Sequence, residues 1–143
     1  MRCKILILCT GNSCRSQMAQ GWINHFHSDK IECQSAGIEK HGLNPLAVLV
    51  MDEVGVDISH YYSKTINDIQ NPQFDFVFTV CDHASENCPY FPGPAKIIHV
   101  GFEDPPKLAL HLKNKQDQLN CYRKVRDQIK QFALNINSYL KEC

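Results

Sequence analysis

The sequence predicts a doubly wound α/β fold of three layers, α/β/α, built on a four-stranded and mainly parallel sheet. Short apolar runs alternate along the chain with segments whose apolar residues follow helical spacing. The first run, residues 4–8, is continuously apolar, which is typical of a strand buried on both faces. The chain has 143 residues, of which 43% are hydrophobic and 21% charged. Because this length suits one ordinary core, we assign residues 1–143 to a single domain.

Each element has its own signal. The predicted strands comprise residues 4–8, 31–36, 74–80 and 96–100. The first helix begins at Arg15, where apolar positions at helical spacing start. The second begins at Pro45 after the N-cap residue Asn44, and Gly55 closes it. The last runs from Gln116 to Leu140. Residues 81–95 contain three prolines and a glycine, so we expect a loop there with at most one helical turn.

The overall charge excludes some classes of function. The chain carries 15 basic and 15 acidic residues and no formal net charge, which argues against a general nucleic-acid or anionic-membrane binder. The apolar run at 4–8 is too short for a signal peptide or a membrane span, and no later stretch is long enough to span. We therefore expect a cytoplasmic protein with no membrane or nucleic-acid partner.

The chain has eight cysteines. An even number would suit a secreted disulfide scaffold, but the missing signal sequence and the ample apolar content disfavour one. We therefore expect some of the cysteines to be chemically active.

The segment between the first strand and the first helix predicts an oxyanion cradle. It reads Cys9, Thr10, Gly11, Asn12, Ser13, Cys14, Arg15, Ser16. Loop N–H groups and a helix N-terminus attract an anion, and the planar Arg15 guanidinium can hold two of its oxygens. Gly11 permits a positive φ and close backbone approach, and Asn12 tolerates a left-handed conformation while tying the loop internally. We assign residues 10–15 to substrate binding.

Cys9 is the predicted nucleophile. The positive field that would hold the anion also lowers a cysteine pKa, so the side chain would be a thiolate near neutral pH. Ser16 is expected to steady that thiolate. The structural alternatives are a buried cysteine at a strand end, a solvated first-turn serine and, for Arg15, a surface salt bridge.

Three reactive residues follow the carboxyl ends of predicted strands. Cys9 follows the first strand, Cys81 the third and Asp104 the fourth. Open α/β folds bind ligands at this edge. Asp104 stands before Pro105, which would hold an extended loop, and the carboxyl could serve as a general acid. Without the cradle, an ordinary turn aspartate would be the better interpretation.

Cys81 and Cys88 leave three interpretations open. They could be inert thiols, part of a metal site with His83, or a redox pair. Their spacing is longer than that of a zinc knuckle. Seven residues of helix rise about 10.5 Å, whereas a disulfide needs Cα atoms roughly 4.4–6.8 Å apart. A helical segment would therefore have to unwind to form the Cys81–Cys88 disulfide.

These motifs resemble those of the low-molecular-weight protein tyrosine phosphatase superfamily, and in particular its thioredoxin-coupled arsenate reductases. The resemblance rests on residues 9–19, on Ser35-Ala36-Gly37 and on Gly101-Phe102-Glu103-Asp104-Pro105. It covers nearly the whole chain. The Cys-x5-Arg loop alone specifies only a phosphatase-like site, whereas Cys9, Cys81 and Cys88 together are more specific.

The resemblance implies a mechanism. Cys9 attacks arsenate while Asp104 protonates the departing oxygen. Cys81 then attacks the Cys9 sulfur and arsenite leaves. Cys88 attacks Cys81, and thioredoxin reduces the resulting disulfide. This chemistry needs no metal or organic cofactor, and we expect a monomer.

The resemblance also suggests roles for other residues. Some relatives hold a potassium ion with acidic residues near the loop, where this chain has Gln20 and Lys64. We hypothesise that the Lys64 ammonium replaces that ion beside Asn12 and Ser35. Cys14 would form a protective disulfide with the nucleophile or serve packing. The remaining cysteines are expected to be structural or without a role: Cys3, Cys33, Cys121 and Cys143.

Two other functions remain open from the sequence. A phosphotyrosine phosphatase would use Cys9, Arg15 and Asp104 but has no use for Cys81 and Cys88. A non-catalytic redox sensor or arsenite-binding module would use several thiols without turnover. Only the two enzymes need an acid at Asp104.

Overall fold

The computed structural model describes residues 2–82, 91, 93–141 and 143. Four parallel strands form one sheet in the order β2-β1-β3-β4. The strands are β1 (Cys3–Cys9), β2 (Ile31–Gly37), β3 (Phe76–Thr79) and β4 (Lys96–His99). The helices are α1 (Arg15–His27), α2 (Pro45–Asp52), α3 (Pro105–Ala109) and α4 (Lys115–Leu134). The predicted α/β class and four-stranded parallel sheet are confirmed.

Strand β1 lies at the centre of the sheet and faces two separate cores. Ile5 and Ile7 contribute to the larger core with α1, α2 and α4. Leu6 and Leu8 contribute to the smaller one on the opposite face. All four side chains are fully buried, which explains the continuously apolar sequence of this strand.

The two faces of the sheet are covered unequally. Helices α1 and α4 pack against each other beneath the larger core, and the Trp22 indole N–H donates to the Arg126 carbonyl at 3.1 Å. On the other face the smaller core is closed by Ile69, Phe74 and Phe91. The chain between α2 and β3, which contributes Ile69 and Phe74 to this face, contains one 3-10 turn, Ile66–Asp68.

The structure differs from the sequence prediction beside Asp104. The two prolines after Asp104 predicted an extended loop, but Pro105 instead occupies the first position of α3. Proline lacks an N–H and has a helical φ, so it suits a helix start as well as an extended loop. Asp104 itself is extended, with φ −89° and ψ 108°.

The last helix is shorter than predicted. It ends at Leu134, and a 3-10 turn over Ile136–Ser138 carries the chain onward. Ile136 and Leu140 remain buried in the larger core, so the apolar periodicity continued after the helix had ended. Within the described ranges, no helix is long and apolar enough to cross a membrane.

Replacing Phe78 with alanine should test the larger core. Its ring is fully buried and lies 5.3 Å from that of Phe132 and 5.5 Å from that of Tyr139, centroid to centroid. We expect Phe78→Ala to lower the free energy of unfolding in urea by about 3–5 kcal/mol, because it leaves a cavity. Leu110→Ala, at a side chain that is 71% exposed, should change it by less than about 0.5 kcal/mol. Equal effects of the two substitutions would contradict this assignment of the core.

Candidate active site

A cavity of about 300 Å³ opens at the carboxyl end of β1. The loop after β1 forms its floor, and residues before α2 and at the start of α3 form its walls. Its lining comprises Cys9, Thr10, Gly11, Ser13, Cys14, Arg15, His41, Asn44, Asp104 and Pro106. The cavity therefore brings Cys9, Arg15 and Asp104 together, although Asp104 lies far along the chain from the other two.

The loop carbonyls point away from this cavity because neighbouring segments bind them. The Thr10 carbonyl accepts from the N–H groups of Ile38 and Glu39 at 3.0 and 3.1 Å. The carbonyls of Gly11 and Ser13 accept backbone N–H groups of residues 41 and 44, both at 3.0 Å. Within the described part of the chain, the N–H groups of residues 11–14 donate to no backbone carbonyl. These N–H groups remain available to a bound oxyanion.

Asn12 ties the loop to the surrounding structure. It is fully buried and has a left-handed backbone with φ 49°. Its Nδ2 donates to the Ser16 and Ser35 hydroxyl oxygens at 2.9 and 3.0 Å. Its Oδ1 accepts from the Lys64 backbone N–H at 2.9 Å and from Gln17 Nε2 at 3.1 Å. The amide therefore uses its full hydrogen-bonding capacity, as expected of a residue that ties the loop internally.

The predicted role of Gly11 is partly wrong. The positive φ of this loop belongs to Asn12, and Gly11 is not among the residues with positive φ. Gly11 is needed for close approach instead, because a Cβ atom there would come within 2.2 Å of His41 Nδ1. Gly37 has the same role against the backbone, since its Cβ would lie 2.6 Å from the Thr10 carbonyl oxygen.

The Arg15 guanidinium is buried at the base of the cavity. Its Nη1 donates to the Phe102 carbonyl at 3.0 Å. Its Nη2 lies 3.7 Å from Asp104 Oδ1, and the Asp104 side chain is 30% exposed at the cavity rim. The hydrogen bond from Arg15 to Phe102 joins the loop after β1 to the segment that carries the predicted acid.

The first turn of α1 places further groups at the cavity. Cys14 occupies the N-cap position, and no side chain of the described residues caps this helix start. Burial raises the pKa of the Cys14 thiol well above its ordinary value, and the nearby Asp104 carboxylate adds to this. Cys14 therefore stays protonated, and neither Cys9 nor Cys14 forms a disulfide. The Ser16 hydroxyl oxygen accepts from Asn12, and the support of Cys9 by Ser16 stays a prediction.

Cys81 lies two residues beyond β3, at the same edge of the sheet as the cavity. The strand β3 pairs with β1 up to Thr79 opposite Leu8, and the Val80 N–H donates to the Leu8 carbonyl at 3.1 Å. Cys81 is fully buried and disulfide-bonded. Its predicted redox partner, Cys88, lies outside the described residues.

Two lining residues were missed by the sequence analysis. His41 stands over Gly11, and its Nε2 lies 2.6 Å from Glu39 Oε2. Asn44 was identified as a helix N-cap, and its side chain does accept from two α2 N–H groups. Its Nδ2 also donates to the Tyr122 hydroxyl oxygen at 3.0 Å. Burial raises the pKa of Tyr122 to about 12, so this hydroxyl remains protonated. No local signal marked either residue, because their neighbours at the cavity are distant in sequence.

The hypothesis about Lys64 does not match the observed contacts. Lys64 is buried, but its ammonium lies 5.0 Å from the centre of the Tyr62 ring. The described residues include no hydrogen bond from this ammonium to Asn12 or Ser35. The Ser35 hydroxyl instead donates to Gln20 Oε1 at 2.6 Å. Burial lowers the pKa of Lys64, as expected of an ammonium removed from water.

Known proteins that are similar to this chain are phosphatase-family members and arsenate reductases. Residues 4–142 match the family model described as low molecular weight phosphotyrosine protein phosphatase. The chain is 48% identical over 126 residues to an arsenate reductase of Shouchella clausii (strain KSM-K16), which covers 87% of this chain and 88% of the relative. It is 46% identical over 134 residues to an arsenate reductase of Bacillus subtilis (strain 168), with 90% and 94% covered. A solved structure described as an arsenate reductase in the oxidized state aligns with a TM-score of 0.73 and 30% identity, over 92% of this chain and 94% of that one.

The chain therefore belongs to the low molecular weight phosphotyrosine protein phosphatase family. Within that family, the relatives compared above are arsenate reductases. The resemblance drawn from the motifs is confirmed at the level of fold and family.

Replacing Asn12 with alanine should disorganise the loop. The substitution leaves the buried Lys64 N–H without its acceptor and removes one hydrogen bond each from Ser35 and Gln17. An unsatisfied buried donor alone costs about 1–3 kcal/mol. We expect weaker phosphate binding, measured by calorimetry, together with a lower free energy of unfolding. Asn24→Ala is the matched control, because that amide donates one partly buried hydrogen bond, to the Tyr61 hydroxyl. Unchanged phosphate affinity in Asn12→Ala would contradict the role assigned to this residue.

The buried thiols should resist alkylation. Burial raises the pKa of both Cys14 and Cys33, so the thiolate fraction of each at pH 8 is below that of an ordinary cysteine. We expect brief iodoacetamide treatment of the native protein at pH 8 to modify Cys121, which is partly exposed, well before either of them. Peptide mass spectrometry measures the three rates. Labelling of Cys14 as fast as Cys121 would show that its thiol is accessible and ionised.

Proposed function

We propose that the protein reduces arsenate to arsenite through a relay of three cysteines, and that thioredoxin restores the enzyme. The observation that carries the proposal is the convergence of Cys9, Arg15 and Asp104 on one cavity floored by backbone N–H groups. The relatives named arsenate reductase support the choice of substrate.

The first step uses the cavity as an oxyanion site. Arsenate is a tetrahedral oxyanion, so the N–H groups of the loop, the start of α1 and the Arg15 guanidinium bind its oxygens. The Cys9 thiolate attacks arsenic and forms a sulfur–arsenic bond. One oxygen leaves as water after Asp104 donates a proton to it. Arsenic is still pentavalent in this adduct.

Two thiols then supply the electrons. The Cys81 sulfur attacks the Cys9 sulfur, and the electron pair of the sulfur–arsenic bond moves onto arsenic, which leaves as arsenite. A Cys9–Cys81 disulfide remains. The Cys88 sulfur attacks Cys81, which frees the Cys9 thiolate and leaves a Cys81–Cys88 disulfide. A dithiol reductant returns two electrons and two protons to this disulfide.

The position of Cys81 favours reduction over simple phosphate-ester hydrolysis. A hydrolase completes its cycle when water attacks the cysteine adduct, and it needs no second thiol. Here Cys81 lies two residues beyond β3, the strand that pairs with the strand of Cys9, and it is disulfide-bonded. An intramolecular disulfide is the kind of substrate that thioredoxin reduces, so we propose thioredoxin as the partner.

The proposed setting follows from the same chemistry. A relay that ends in a disulfide needs a compartment whose reductants return the cysteines to thiols, so we propose that the protein acts in the cytoplasm. We also propose that the protein acts as a monomer, because Cys9, Arg15 and Asp104 of a single chain already meet at the cavity. The relay uses neither a metal nor an organic cofactor.

Removing the last thiol of the relay should stop turnover after one cycle. We expect the wild type, supplied with thioredoxin, thioredoxin reductase and NADPH, to consume NADPH in proportion to arsenate. Cys88→Ser should release about one equivalent of arsenite per enzyme and then stop, because the Cys9–Cys81 disulfide is trapped. Cys121→Ser is the matched control, because Cys121 is a free cysteine outside the relay. It should turn over like the wild type.

Other outcomes would contradict parts of the proposal. Full turnover by Cys88→Ser would exclude the relay. If the wild type needed glutaredoxin and glutathione instead of thioredoxin, the proposed partner would be wrong, but the proposed reduction of arsenate would still hold. Rapid hydrolysis of an aryl phosphate without arsenate reduction would make the protein a phosphatase, and arsenite binding without turnover would make it a binding module.

A further inference from the structure

A further pair of cysteines, Cys3 and Cys143, lies at the end of the sheet opposite the cavity. Cys3 begins β1 and is joined by a disulfide to Cys143, 140 positions away, with a Cα–Cα distance of 5.8 Å. Cys9, at the other end of β1, is separated from Cys3 by six residue steps, or roughly 20 Å. This pair is therefore separate from the catalytic cysteines, and the sequence analysis assigned it no chemistry.

Asp75 brings a third donor atom to this pair. One carboxylate oxygen of Asp75 and the sulfurs of Cys3 and Cys143 all lie within 4.8 Å of one another. The distance from Cys143 Sγ to Asp75 Oδ2 is 3.9 Å. Within the part of the chain that the structure describes, these three side chains form a group that could hold a metal ion.

The carboxylate is held in place independently of the disulfide. Asp75 Oδ2 accepts the Lys4 backbone N–H at 2.8 Å, and the Asp75 N–H donates to the Lys4 carbonyl at 2.8 Å. Asp75 also stands directly before β3, which pairs with β1. Backbone pairing therefore aims the carboxylate at the two sulfurs, and hydrogen bonds of this kind orient metal ligands in proteins.

This donor set fits zinc. A disulfide needs no neighbouring carboxylate, whereas Zn²⁺ binds thiolate sulfur at about 2.3 Å and carboxylate oxygen at about 2.0–2.2 Å in a tetrahedron. Two ligand atoms on such an ion lie about 3.5–3.8 Å apart, close to the 3.9 Å between Cys143 and Asp75. Once reduced, the two sulfurs need only separate to the same spacing, and the exposed Cys143 side chain has room to move.

We propose that Cys3, Asp75 and Cys143 bind one Zn²⁺ ion when the two cysteines are reduced, with water as the fourth ligand. The disulfide form is the ion-free state. A dithiol reductant of the thioredoxin class adds two electrons and two protons to the disulfide and yields two thiols. Zinc binding then releases the two thiol protons. The ion consequently stabilises the reduced form over the disulfide.

Zinc titration of the reduced protein tests this site. The protein is reduced with a phosphine, desalted without oxygen and titrated with Zn²⁺ against a chromophoric chelator. The wild type should bind one more equivalent than Cys3→Ser or Cys143→Ser. Asp75→Asn keeps the side-chain shape and an oxygen for the Lys4 N–H, and we expect its affinity to fall at least about tenfold. Cys121→Ser is the matched control and should bind like the wild type.

Cobalt provides a second measurement. Co²⁺ in the reduced wild type should give the thiolate charge-transfer and tetrahedral absorption bands, and Cys143→Ser should lose the part that this site contributes. Equal zinc stoichiometry in the wild type and Cys143→Ser would overturn the proposal. Unchanged affinity in Asp75→Asn, or equal binding before and after reduction, would also overturn it. None of these measurements uses arsenate, so a failure here leaves the proposed reduction untouched.

Discussion

The geometry of the cavity depends on the buried amide of Asn12. A loop that directs its N–H groups inward must have its carbonyls satisfied from outside, and its left-handed residue must be held in place. Asn12 meets the second requirement through hydrogen bonds to Ser16, Ser35, Lys64 and Gln17. Those partners come from α1, β2 and the segment after α2. The shape of the loop is therefore a property of the assembled domain.

The same arrangement concentrates positive potential around one sulfur. The buried Arg15 guanidinium and the start of α1 both face the cavity that Cys9 lines. The neighbouring Cys14 is kept neutral by burial, so it adds no negative charge to the cavity. The Asp104 carboxyl lies 3.7 Å from Arg15 at the rim and leaves the centre of the cavity open to an oxyanion.

The sheet also places two groups of cysteines at opposite ends of its strands. Its carboxyl edge holds Cys9 and Cys81, where parallel strands place their ends side by side. Its other edge holds Cys3, paired with Cys143. Because the central strand is buried on both faces, the two groups of cysteines are isolated from each other. A reductant therefore has to approach the two groups of cysteines from opposite ends of the sheet.

The sequence by itself determined what is local. Strand β1, the loop from Cys9 to Arg15 and the start of α1 are contiguous, so their periodicity and residue types predicted both the elements and an oxyanion site. The placement of Asp104 and Cys81 near Cys9 was also predictable, because the carboxyl ends of parallel strands lie side by side. Tertiary structure decided the partners of Asn12, the position of His41 over Gly11, the helix at Pro105 and the pairing of Cys3 with Cys143. These depend on contacts between segments far apart in the chain, and such contacts carry no periodic or local signal.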